Sequence, residues 1–518
     1  MKTSLSIAAA ACGILVLPGL ASAQQKPVET TSGSVVGVES SYVPGVTVFK
    51  GIRYGADTGG ENRFLPPKPA EKATEVYEAK EYGKACYGLG FPPFLMQEEG
   101  VDLDKSPMSE DCLFLNIWTP TIDAGKRPVM VWFHGGGFTS GSGGSIRYEG
   151  SNLVARKDVV LVTVNHRLGA LGFMDVSDIG GEAYADSGNV GMLDIVQSLQ
   201  WVHDNIAAFG GDPENVTVFG ESGGGSKVTT LLSMPAAKGL FHKAIAQSGI
   251  NMSAIPAEKA HETAEAAVAE LKVDSIEALK RAAPDTITNA KGSWGPVIGR
   301  SLPRSPFDPD ADPAGKDIPL MIGSNLTEAT FFSTTPLSAV DEAGLKEAFA
   351  KGNFTAKIPA ETIPELMTAY RAELSGTPDH EIYQIIASDA WMTRVVDKAA
   401  KLRADIGAPT YVYQFTMRQG ARDGALNVPH TAEIAYAFDN LALAKALVGE
   451  PDEKDQALAD LMSAAWTNFA RTGNPQGEDV PEWPAFTSDR HAVMILGEQS
   501  EAAVDPFAQR LKALGAAK

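Results

Sequence analysis

Short apolar runs alternate with a helical segment in the middle of the chain. The runs at residues 129–133, 159–165, 216–220 and 244–247 are rich in β-branched and other apolar residues and lack strict apolar/polar alternation. Such runs predict strands that are buried on both faces, as in a parallel sheet. Between the second and the third run, residues 189–209 carry apolar side chains at helical spacing and end at a Gly-Gly pair. Strands that alternate with helices predict an α/β fold.

The pattern differs on either side of this region. Residues 28–54 alternate apolar and polar positions between Gly and Pro, which predicts small antiparallel strands. Residues 251–389 have a mostly helical composition, with one strand-like run at 319–323. Two later runs, at 409–416 and 492–496, predict further strands. The helical stretch is therefore expected to be an insertion between strands of the sheet.

Composition and charge narrow the class of partner. The chain has 518 residues, of which 44% are hydrophobic, 8% aromatic and 21% charged. Lys and Arg number 44 against 64 Asp and Glu, so the formal net charge is −20. A field of that sign repels nucleic acid and anionic membrane surfaces, so we expect neither as a partner. Acidity of this kind favours solubility and does not by itself indicate an activity.

The first 23 residues have the pattern of a secretory signal peptide. Lys2 precedes a largely apolar run over residues 5–20, and Ala21-Ser22-Ala23 is a small-residue cleavage pattern. A membrane anchor is the alternative, but the run is interrupted by Gly and Pro and is shorter than the about 20 residues of a spanning helix. We expect cleavage after Ala23 and a periplasmic or secreted protein. Residues 24–518 are expected to form one domain, because no repeat or lasting shift in composition divides them.

Two of the three cysteines, Cys86 and Cys112, follow the predicted signal peptide. Two cysteines in an exported protein predict one disulfide, with a pair of buried free thiols as the alternative. The sequence contains no Cys-x-x-Cys or His-rich spacing that would indicate zinc binding or redox catalysis. We therefore expect no metal site.

The most informative segment is Gly-Glu-Ser-Gly-Gly at residues 220–224. It follows a predicted strand and opens a predicted helix, which is the setting of a nucleophilic serine on a sharp turn. Gly220 and Gly224 let strand and helix approach closely, so that the hydroxyl of Ser222 is exposed. A glycine-rich turn without chemistry is one alternative. A phosphate-binding loop is disfavoured because its Lys-Ser/Thr or G-x-G-x-x-G pattern is missing.

A nucleophilic serine also needs donors that stabilise the oxyanion formed during the reaction. The run His-Gly-Gly-Gly-Phe at residues 134–138 directly follows the predicted strand at 129–133, where such folds carry an oxyanion loop. Its glycines leave backbone N–H groups free to face a substrate carbonyl. By the usual geometry the donors are the N–H groups of Gly136, Gly137 and Gly223. A flexible linker is the alternative interpretation of this segment.

Five histidines follow the serine in the chain: His242, His261, His380, His430 and His491. They are the candidates for the base, because such folds order their residues as serine, acid, histidine. The first two follow the serine too closely, the third lies in the helical stretch, and the last begins a strand. His430 lies in a turn-rich loop after a predicted strand, which favours it. A lone histidine is more often structural than catalytic, so position alone does not decide.

The acid should follow a strand that lies between the serine and the histidine. The strand-like run at 319–323 leads into a loop that ends in Glu328, which makes this carboxylate the favoured partner of the histidine. Competing carboxylates lie in a Pro-rich turn, where Asp usually bonds with the backbone. They are Asp308, Asp310 and Asp312.

These motifs and others in the same order resemble the type-B carboxylesterase family of α/β-hydrolases, which includes the cholinesterases. The resemblance covers nearly the whole chain after the signal segment. The matching segments are residues 49–54, 110–118, 134–138, 165–167, 189–209, 220–224, 325–328, 430–433 and 466–475. The family implies an α/β-hydrolase fold: a large, mostly parallel central sheet flanked by helices, with helical insertions that form a lid and a pocket.

The resemblance also assigns roles to individual residues and singles out His430 among the histidines. It implies a triad, three oxyanion donors, a disulfide and two residues that support the histidine loop. In that order they are Ser222, Glu328 and His430; Gly136, Gly137 and Gly223; Cys86 and Cys112; and Glu433 and Ser248.

Three departures from the family pattern matter. Gly223 stands where the family usually has alanine. Its expected role as an oxyanion donor is unaffected, because the donor is the backbone N–H and not the side chain. Thr431 stands where the family usually has glycine. Residues 87–111 contain no tryptophan, so the choline-binding aromatic of the cholinesterases has no counterpart there. Specificity for quaternary ammonium substrates is therefore not expected.

The expected function is that of an exported serine carboxylesterase, which hydrolyses small esters through an acyl-enzyme without a metal or an organic cofactor. The same mechanism on amide, carbamate, thioester or lactone bonds is the alternative, because the insertions between residues 251 and 389 set the pocket. A non-catalytic binding module is disfavoured, because every part of the site is present in the sequence.

Overall fold

The computed structural model describes residues 26–90, 106–332 and 358–516, together with the isolated residue 347. The predicted signal peptide lies outside the described residues. In chain order the strands of the described part are β1 Val28–Thr30, β2 Gly33–Val36, β3 Val38–Glu39, β4 Thr47–Arg53, β5 Tyr77–Glu78, β6 Ala85–Cys86, β7 Met108–Ser109, β8 Phe114–Thr119, β9 Arg127–Phe133, β10 Val160–Val164, β11 Gly211–Glu221, β12 Lys243–Gln247, β13 Leu320–Asn325, β14 Thr410–Phe415, β15 Ala492–Leu496 and β16 Glu501–Val504.

The central sheet of the described region has eleven strands in the order β16-β15-β14-β13-β12-β11-β9-β10-β8-β4-β3. Its middle strands, from β10 to β15, pair in parallel with their neighbours. The outer strands β3, β4, β8 and β16 pair antiparallel. The sheet is therefore large and mostly parallel, as predicted for an α/β-hydrolase fold.

The N-terminal strands form small antiparallel pairs, as the alternating pattern predicted. β1 pairs with β2 and β3 pairs with β4. β4 also pairs with β8 and thereby joins the central sheet. The short strand β6 ends at Cys86, which forms a disulfide with Cys112. The structure thus contains the disulfide and not the two free thiols.

Helices flank the sheet. In chain order they are α1 Ser151–Lys157, α2 Gly169–Phe173, α3 Ser177–Gly180, α4 Val190–Asn205, α5 Gly223–Leu231, α6 Ala257–Leu271, α7 Ile276–Arg281, α8 Pro284–Thr288, α9 Ile363–Glu373, α10 Asp379–Ser388, α11 Arg394–Asp405, α12 Ile434–Ala437, α13 Lys445–Val448, α14 Glu453–Thr472 and α15 Ala508–Ala516. The segment predicted at 189–209 is a single-turn 3₁₀ helix at Ser187–Asn189, then α4, then a 3₁₀ turn at Ile206–Phe209.

The insertion is helical only in part. Helices α6 to α8 and α9 to α10 occupy its two ends, but residues 289–312 form turns and short bridges instead of helices. Five prolines interrupt this stretch and its border, at 296, 303, 306, 309 and 313. Proline lacks the N–H that a helix interior needs, which explains why a helical composition did not give a continuous helix here.

Side chains from the two faces of the sheet enter two separate hydrophobic clusters. Val131, Val162 and Val218 belong to one cluster. Their neighbours Trp132, Leu161 and Phe219 belong to the other. This alternation is that of strands covered on both faces. Because these strands are parallel, their carboxyl ends meet at one edge of the sheet, which is where ligands of open α/β sheets bind.

Candidate active site

Ser222 occupies a sharp turn between β11 and α5. Its φ of 57° and ψ of −121° are unusual for a residue with a side chain, and Ser222 is partly exposed. A Cβ on Gly220 would lie 2.6 Å from the carbonyl carbon of Gly224. A Cβ on Gly224 would lie 2.0 Å from the carbonyl oxygen of Phe133. Only glycine fits at either place. The strand and the helix therefore approach as closely as the sequence predicted.

The predicted oxyanion loop passes beside this turn. Gly136 and Gly137 have φ values of +84° and +62°, which glycine adopts without strain. A Cβ on Gly135 would lie 3.5 Å from the Cβ of Ser222. A Cβ on Gly223 would lie 2.5 Å from the nitrogen of Gly137. The structure therefore brings the three predicted donors, Gly136, Gly137 and Gly223, together next to the serine.

Glu328 and His430 are in direct contact. The Nδ1 atom of His430 lies 2.6 Å from Oε2 of Glu328, and both side chains are buried. The other oxygen of Glu328 accepts a hydrogen bond of 2.7 Å from the backbone N–H of Asn325. Glu328 thus fixes the orientation of the imidazole and leaves Nε2 on the opposite side of the ring. A histidine held by a carboxylate at Nδ1 is the arrangement of a general base.

The competing carboxylates have other partners. Asp308 accepts a hydrogen bond from the hydroxyl of Ser253 at 2.9 Å. Asp310 is paired with Arg304. Asp312 accepts from the backbone N–H of Ala314 and caps a 3₁₀ turn, as Asp in a Pro-rich turn often does. Of the candidate acids, Glu328 is the one that contacts His430.

Three of the other four candidate histidines have local partners, and the fourth, His380, lies at the start of α10. His242 lies 3.1 Å from the backbone nitrogen of Val216. His261 is paired with Asp175 at 3.0 Å. His491 stacks on Phe486, with ring centroids 4.8 Å apart.

The histidine loop is held by an amide and a carboxylate. Asn325 donates through Nδ2 to the carbonyl of Pro429 at 2.7 Å and to Oε2 of Glu433 at 2.6 Å. The hydroxyl of Ser248 lies 3.5 Å from Oε1 of Glu433, at the limit of a hydrogen bond. The structure brings Glu433 and Ser248 to this loop, and Asn325 makes the shorter contacts. Asn325 lies in one of the segments that match the family, but the sequence analysis predicted no role for it.

A third carboxylate, Glu221, lies on the other side of the imidazole. Its Oε1 atom is 3.1 Å from Nε2 of His430, and the residue is buried beside Ser222. Burial would lower the pKa of His430, but the carboxylates of Glu221, Glu328 and Glu433 raise it to about 9. Burial raises the pKa of Glu221 to about 8. Sequence reasoning missed Glu221, although its place next to the serine was a signal.

Three aromatic rings lie against the buried imidazole of His430. The ring centroid of Trp391 lies 5.1 Å from that of the imidazole, Phe332 lies 5.5 Å away and Phe331 5.9 Å. All three rings are partly exposed. Trp391 lies on a π-helical turn at Asp389–Thr393 between α10 and α11, a local distortion often found at functional sites. We call Phe331, Phe332 and Trp391 the aromatic wall. The sequence analysis did not predict it, because Trp391 is far from the two phenylalanines in the chain.

Among residues 26–90, 106–332 and 358–516, no group of three or more His, Cys, Asp or Glu side chains is arranged to hold a metal ion. No helix in the same ranges combines the length and the apolar character that crossing a membrane requires.

An α/β-hydrolase sheet with a serine on its sharp turn, a histidine held by a carboxylate and a glycine loop beside the serine defines a serine hydrolase. The sequence model of the carboxylesterase family matches residues 24–513. The chain belongs to the carboxylesterase family. It is a carboxylic ester hydrolase of the serine type.

Relatives named as esterases or hydrolases span nearly the same length. The para-nitrobenzyl esterase of Bacillus subtilis is 33% identical, over 94% of this chain and 98% of its own. The liver carboxylesterase of Sus scrofa is 31% identical, over 94% of each. Phenmedipham hydrolase of Pseudarthrobacter oxydans is 32% identical, over 91% of this chain and 94% of its own.

Solved structures agree with this assignment. The carboxylesterase EST55 of Geobacillus stearothermophilus superposes with a TM-score of 0.80 at 34% identity, over 94% of this chain and 100% of that one. An esterase of Clostridium hathewayi, described as able to hydrolyse aliphatic aromatic polyesters, gives a TM-score of 0.81 at 31% identity. It covers 96% of this chain and 99% of its own.

Proposed function

We propose that this carboxylesterase is exported and that it hydrolyses esters through an acyl-enzyme on Ser222. The observation that carries the proposal is the 2.6 Å contact between His430 and Glu328 beside the turn that exposes the serine. A serine hydroxyl becomes a nucleophile when a positioned base takes its proton. Glu328 supplies the positioning, and His430 is the base.

The reaction has two halves. The hydroxyl oxygen of Ser222 attacks the ester carbonyl, and Nε2 of His430 accepts the hydroxyl proton. The proton then goes to the leaving alcohol as the carbon–oxygen bond breaks, which leaves the acyl group on the serine. In the second half His430 takes a proton from water as the water oxygen attacks the acyl carbon. The bond between that carbon and the oxygen of Ser222 then breaks, His430 returns the proton to the serine oxygen, and the acid leaves.

The N–H groups of Gly136, Gly137 and Gly223 are the donors for the oxyanion of both halves. Such donors hydrogen-bond most strongly when the carbonyl oxygen carries a full negative charge, so they lower the barrier more than they tighten substrate binding. Each donor contributes about 3 to 4 kcal/mol to the transition state. The stabilisation that these N–H groups provide depends on the position of the glycine loop relative to the oxyanion.

The first test is Ser222→Ala with a short-chain nitrophenyl ester as substrate. We expect kcat to fall by about a million-fold, since loss of a triad serine removes the covalent path. Ser226→Ala, one turn further along α5, is the matched control and should retain the activity of the parent. Mass spectrometry of the parent during turnover should detect the acyl group on Ser222. Unchanged turnover in Ser222→Ala would disprove the mechanism.

We propose esters with an aromatic acyl or alcohol group as the preferred substrates. The support is the wall formed by Phe331, Phe332 and Trp391 against His430, because aromatic rings pack favourably on one another. A panel of aliphatic and aromatic esters, amides, carbamates, thioesters and lactones tests this proposal. It should include phenmedipham and an aliphatic aromatic polyester, which the names of two relatives suggest. A higher kcat/KM for aliphatic than for aromatic esters would overturn the preference.

The proposal of export rests on the pattern of residues 1–23 and on the disulfide between Cys86 and Cys112. Expression of the full chain in a Gram-negative bacterium should give activity outside the cytoplasm and a mature N-terminus at Gln24. Leu15→Arg, which places a charge in the apolar run, should keep the chain in the cytoplasm with Met1 or Lys2 at its N-terminus. An unprocessed parent chain in the cytoplasm would contradict export and leave the esterase proposal intact.

A further inference from the structure

Lys227 lies on α5, five residues after the serine, and its side chain is fully buried. Its Nζ atom donates to the carbonyl oxygen of His134 at 2.9 Å and to that of Gly137 at 2.8 Å. The same atom lies 5.6 Å from the ring centroid of Phe138. All three contacts are with the oxyanion loop. One side chain of the nucleophile helix therefore reaches both ends of the segment Gly135-Gly136-Gly137.

The surroundings of this ammonium group are unusual. Buried lysines are normally paired with a carboxylate, whereas Lys227 bonds to two backbone carbonyls. The imidazoles of His134 and His166 stack nearby with centroids 4.8 Å apart, and burial together with the charge of Lys227 lowers the pKa of His134 to about 3. Burial lowers the pKa of Lys227 to about 7, and the charge of Glu221 opposes this shift. The direct hydrogen bonds of Lys227 are those to the two loop carbonyls.

Gly223 makes room for the same loop carbonyl. A Cβ on Gly223 would lie 2.1 Å from the oxygen of Gly137, the oxygen that Lys227 holds. An alanine at this position would push the carbonyl away from its present place. Because residue 223 is glycine, the loop packs directly on the first turn of α5. In this position the carbonyl of Gly137 is within hydrogen-bonding distance of Lys227.

We propose that Lys227 is a positioning residue for ester hydrolysis, which fixes the oxyanion loop by hydrogen-bonding the carbonyl groups of His134 and Gly137. The proposal rests on the proposed function of Ser222. Gly136 and Gly137 have positive φ values, and a run of three glycines has many accessible conformations. Hydrogen bonds at both ends restrict the run to one conformation. Lys227 thereby keeps the N–H groups of Gly136 and Gly137 aimed at the place where the oxyanion forms.

The effect of such positioning falls on the transition state. A loose loop still admits the ester, so KM should stay within about twofold, whereas kcat should fall by about 10- to 100-fold. A role in packing alone would instead lower the melting temperature and leave the kinetics of the folded fraction unchanged. The split between kcat and KM therefore separates positioning from packing.

The experiment compares the parent with Lys227→Met, which keeps the length of the side chain and removes its donors. The control Thr230→Val lies on the same helix and removes two hydrogen bonds, one of 2.7 Å to the carbonyl of Ser226 and one of 2.9 Å from the amide of Asn251, neither of which involves the loop. Each protein is assayed with a nitrophenyl ester and with a trifluoromethyl ketone, which forms a tetrahedral oxyanion on the serine. In Lys227→Met the inhibition constant of the ketone should rise by the same factor as kcat falls.

The outcomes are distinct. Parent-like kcat and ketone inhibition in folded Lys227→Met would overturn the proposal, as would a loss carried entirely by KM. If Lys227→Met does not fold, the same measurements on Lys227→Gln decide: it retains amide donors for one carbonyl, and a kcat equal to that of the parent would overturn the proposal. Full activity in Ser222→Ala would instead disprove the proposed function itself, so the two failures are distinguishable.

Discussion

The two sides of the candidate site are built differently. On the side of the nucleophile, backbone packs on backbone: Gly220, Gly224 and Gly249 each lie where an added Cβ would come within 2.6 Å of a main-chain atom. On the side of the histidine, the contacts join side chains. Glu328 and Glu221 lie at the two nitrogens of the ring, and Asn325 ties Glu433 to the loop.

This difference determines how each side should respond to change. A close-packed backbone has no room, so an added methyl group displaces it, while a change of charge nearby acts only through the field. A network of buried carboxylates around an imidazole is sensitive to charge, because each carboxylate stabilises the protonated ring. Steric changes therefore test the first side, and neutral replacements of equal shape test the second.

Among the changes that compare the two sides, the largest expected effect comes from a neutral replacement on the histidine side. Glu328→Gln keeps the shape of the acid but no longer holds the imidazole in the tautomer that accepts a proton, so kcat should fall by about ten-thousand-fold. Steady-state hydrolysis of a nitrophenyl ester measures this. Asp308→Asn, at the competing carboxylate, is the control and should leave kcat unchanged. A loss in the control with a normal rate in Glu328→Gln would reverse the assignment of the acid.

The elements of the sheet were predictable because their signals are local. The run at 492–496 agrees with β15 residue for residue, and the other parallel strands differ from their predicted runs mainly at the ends. β8 was missed because Asn116 interrupts its apolar pattern. The amide of Asn116 accepts from Gly51 and donates to Thr163, both at 2.9 Å, so a polar residue is satisfied inside a buried strand. Such partners lie in other strands and leave no local signal.

The same distinction applies to the site. Ser222 and the glycine loop lie in short motifs whose chemistry can be inferred from their neighbours in the chain. Lys227 and Trp391 act on residues that are distant in sequence: the loop carbonyls bonded by Lys227 are 93 and 90 positions away. Only the folded chain shows these contacts, which is why the sequence pointed to the candidate triad and the glycine loop and not to the residues that hold and surround them.

A steric change on the nucleophile side should have the next largest effect. A Cβ on Gly249 would lie 1.8 Å from the carbonyl oxygen of Ser222, so Gly249→Ala must shift the turn that carries the serine. We expect a loss of stability of about 1 to 3 kcal/mol, measured by urea unfolding, together with a reduced kcat. Gly299→Ala is the control, because no atom lies within 4 Å of its added methyl group. Equal stability in the two variants would mean that the turn is not tightly packed.

A neutral replacement at the boundary between the two sides should move the pH profile. His430 must be unprotonated to act as a base, so kcat/KM should rise with pH toward the pKa of about 9. Glu221→Gln removes one of the carboxylates that raise this pKa, and the rising limb should move to lower pH by about one unit. Glu214→Gln, at an exposed carboxylate, should leave the profile in place. A profile that does not move in Glu221→Gln would show that this carboxylate does not influence the base.

The smallest expected effect concerns the backbone beside the histidine. Thr431 has a φ of +74°, so it keeps a conformation that glycine adopts easily and a β-branched residue does not. Thr431→Gly should relieve strain of about 1 to 3 kcal/mol, less about 0.5 to 1 kcal/mol for the added freedom of the unfolded chain. Urea unfolding should therefore show a net gain of about 1 kcal/mol. Ala432→Gly, at a neighbour without positive φ, should instead lose stability, and a loss in both variants would show that Thr431 is not strained.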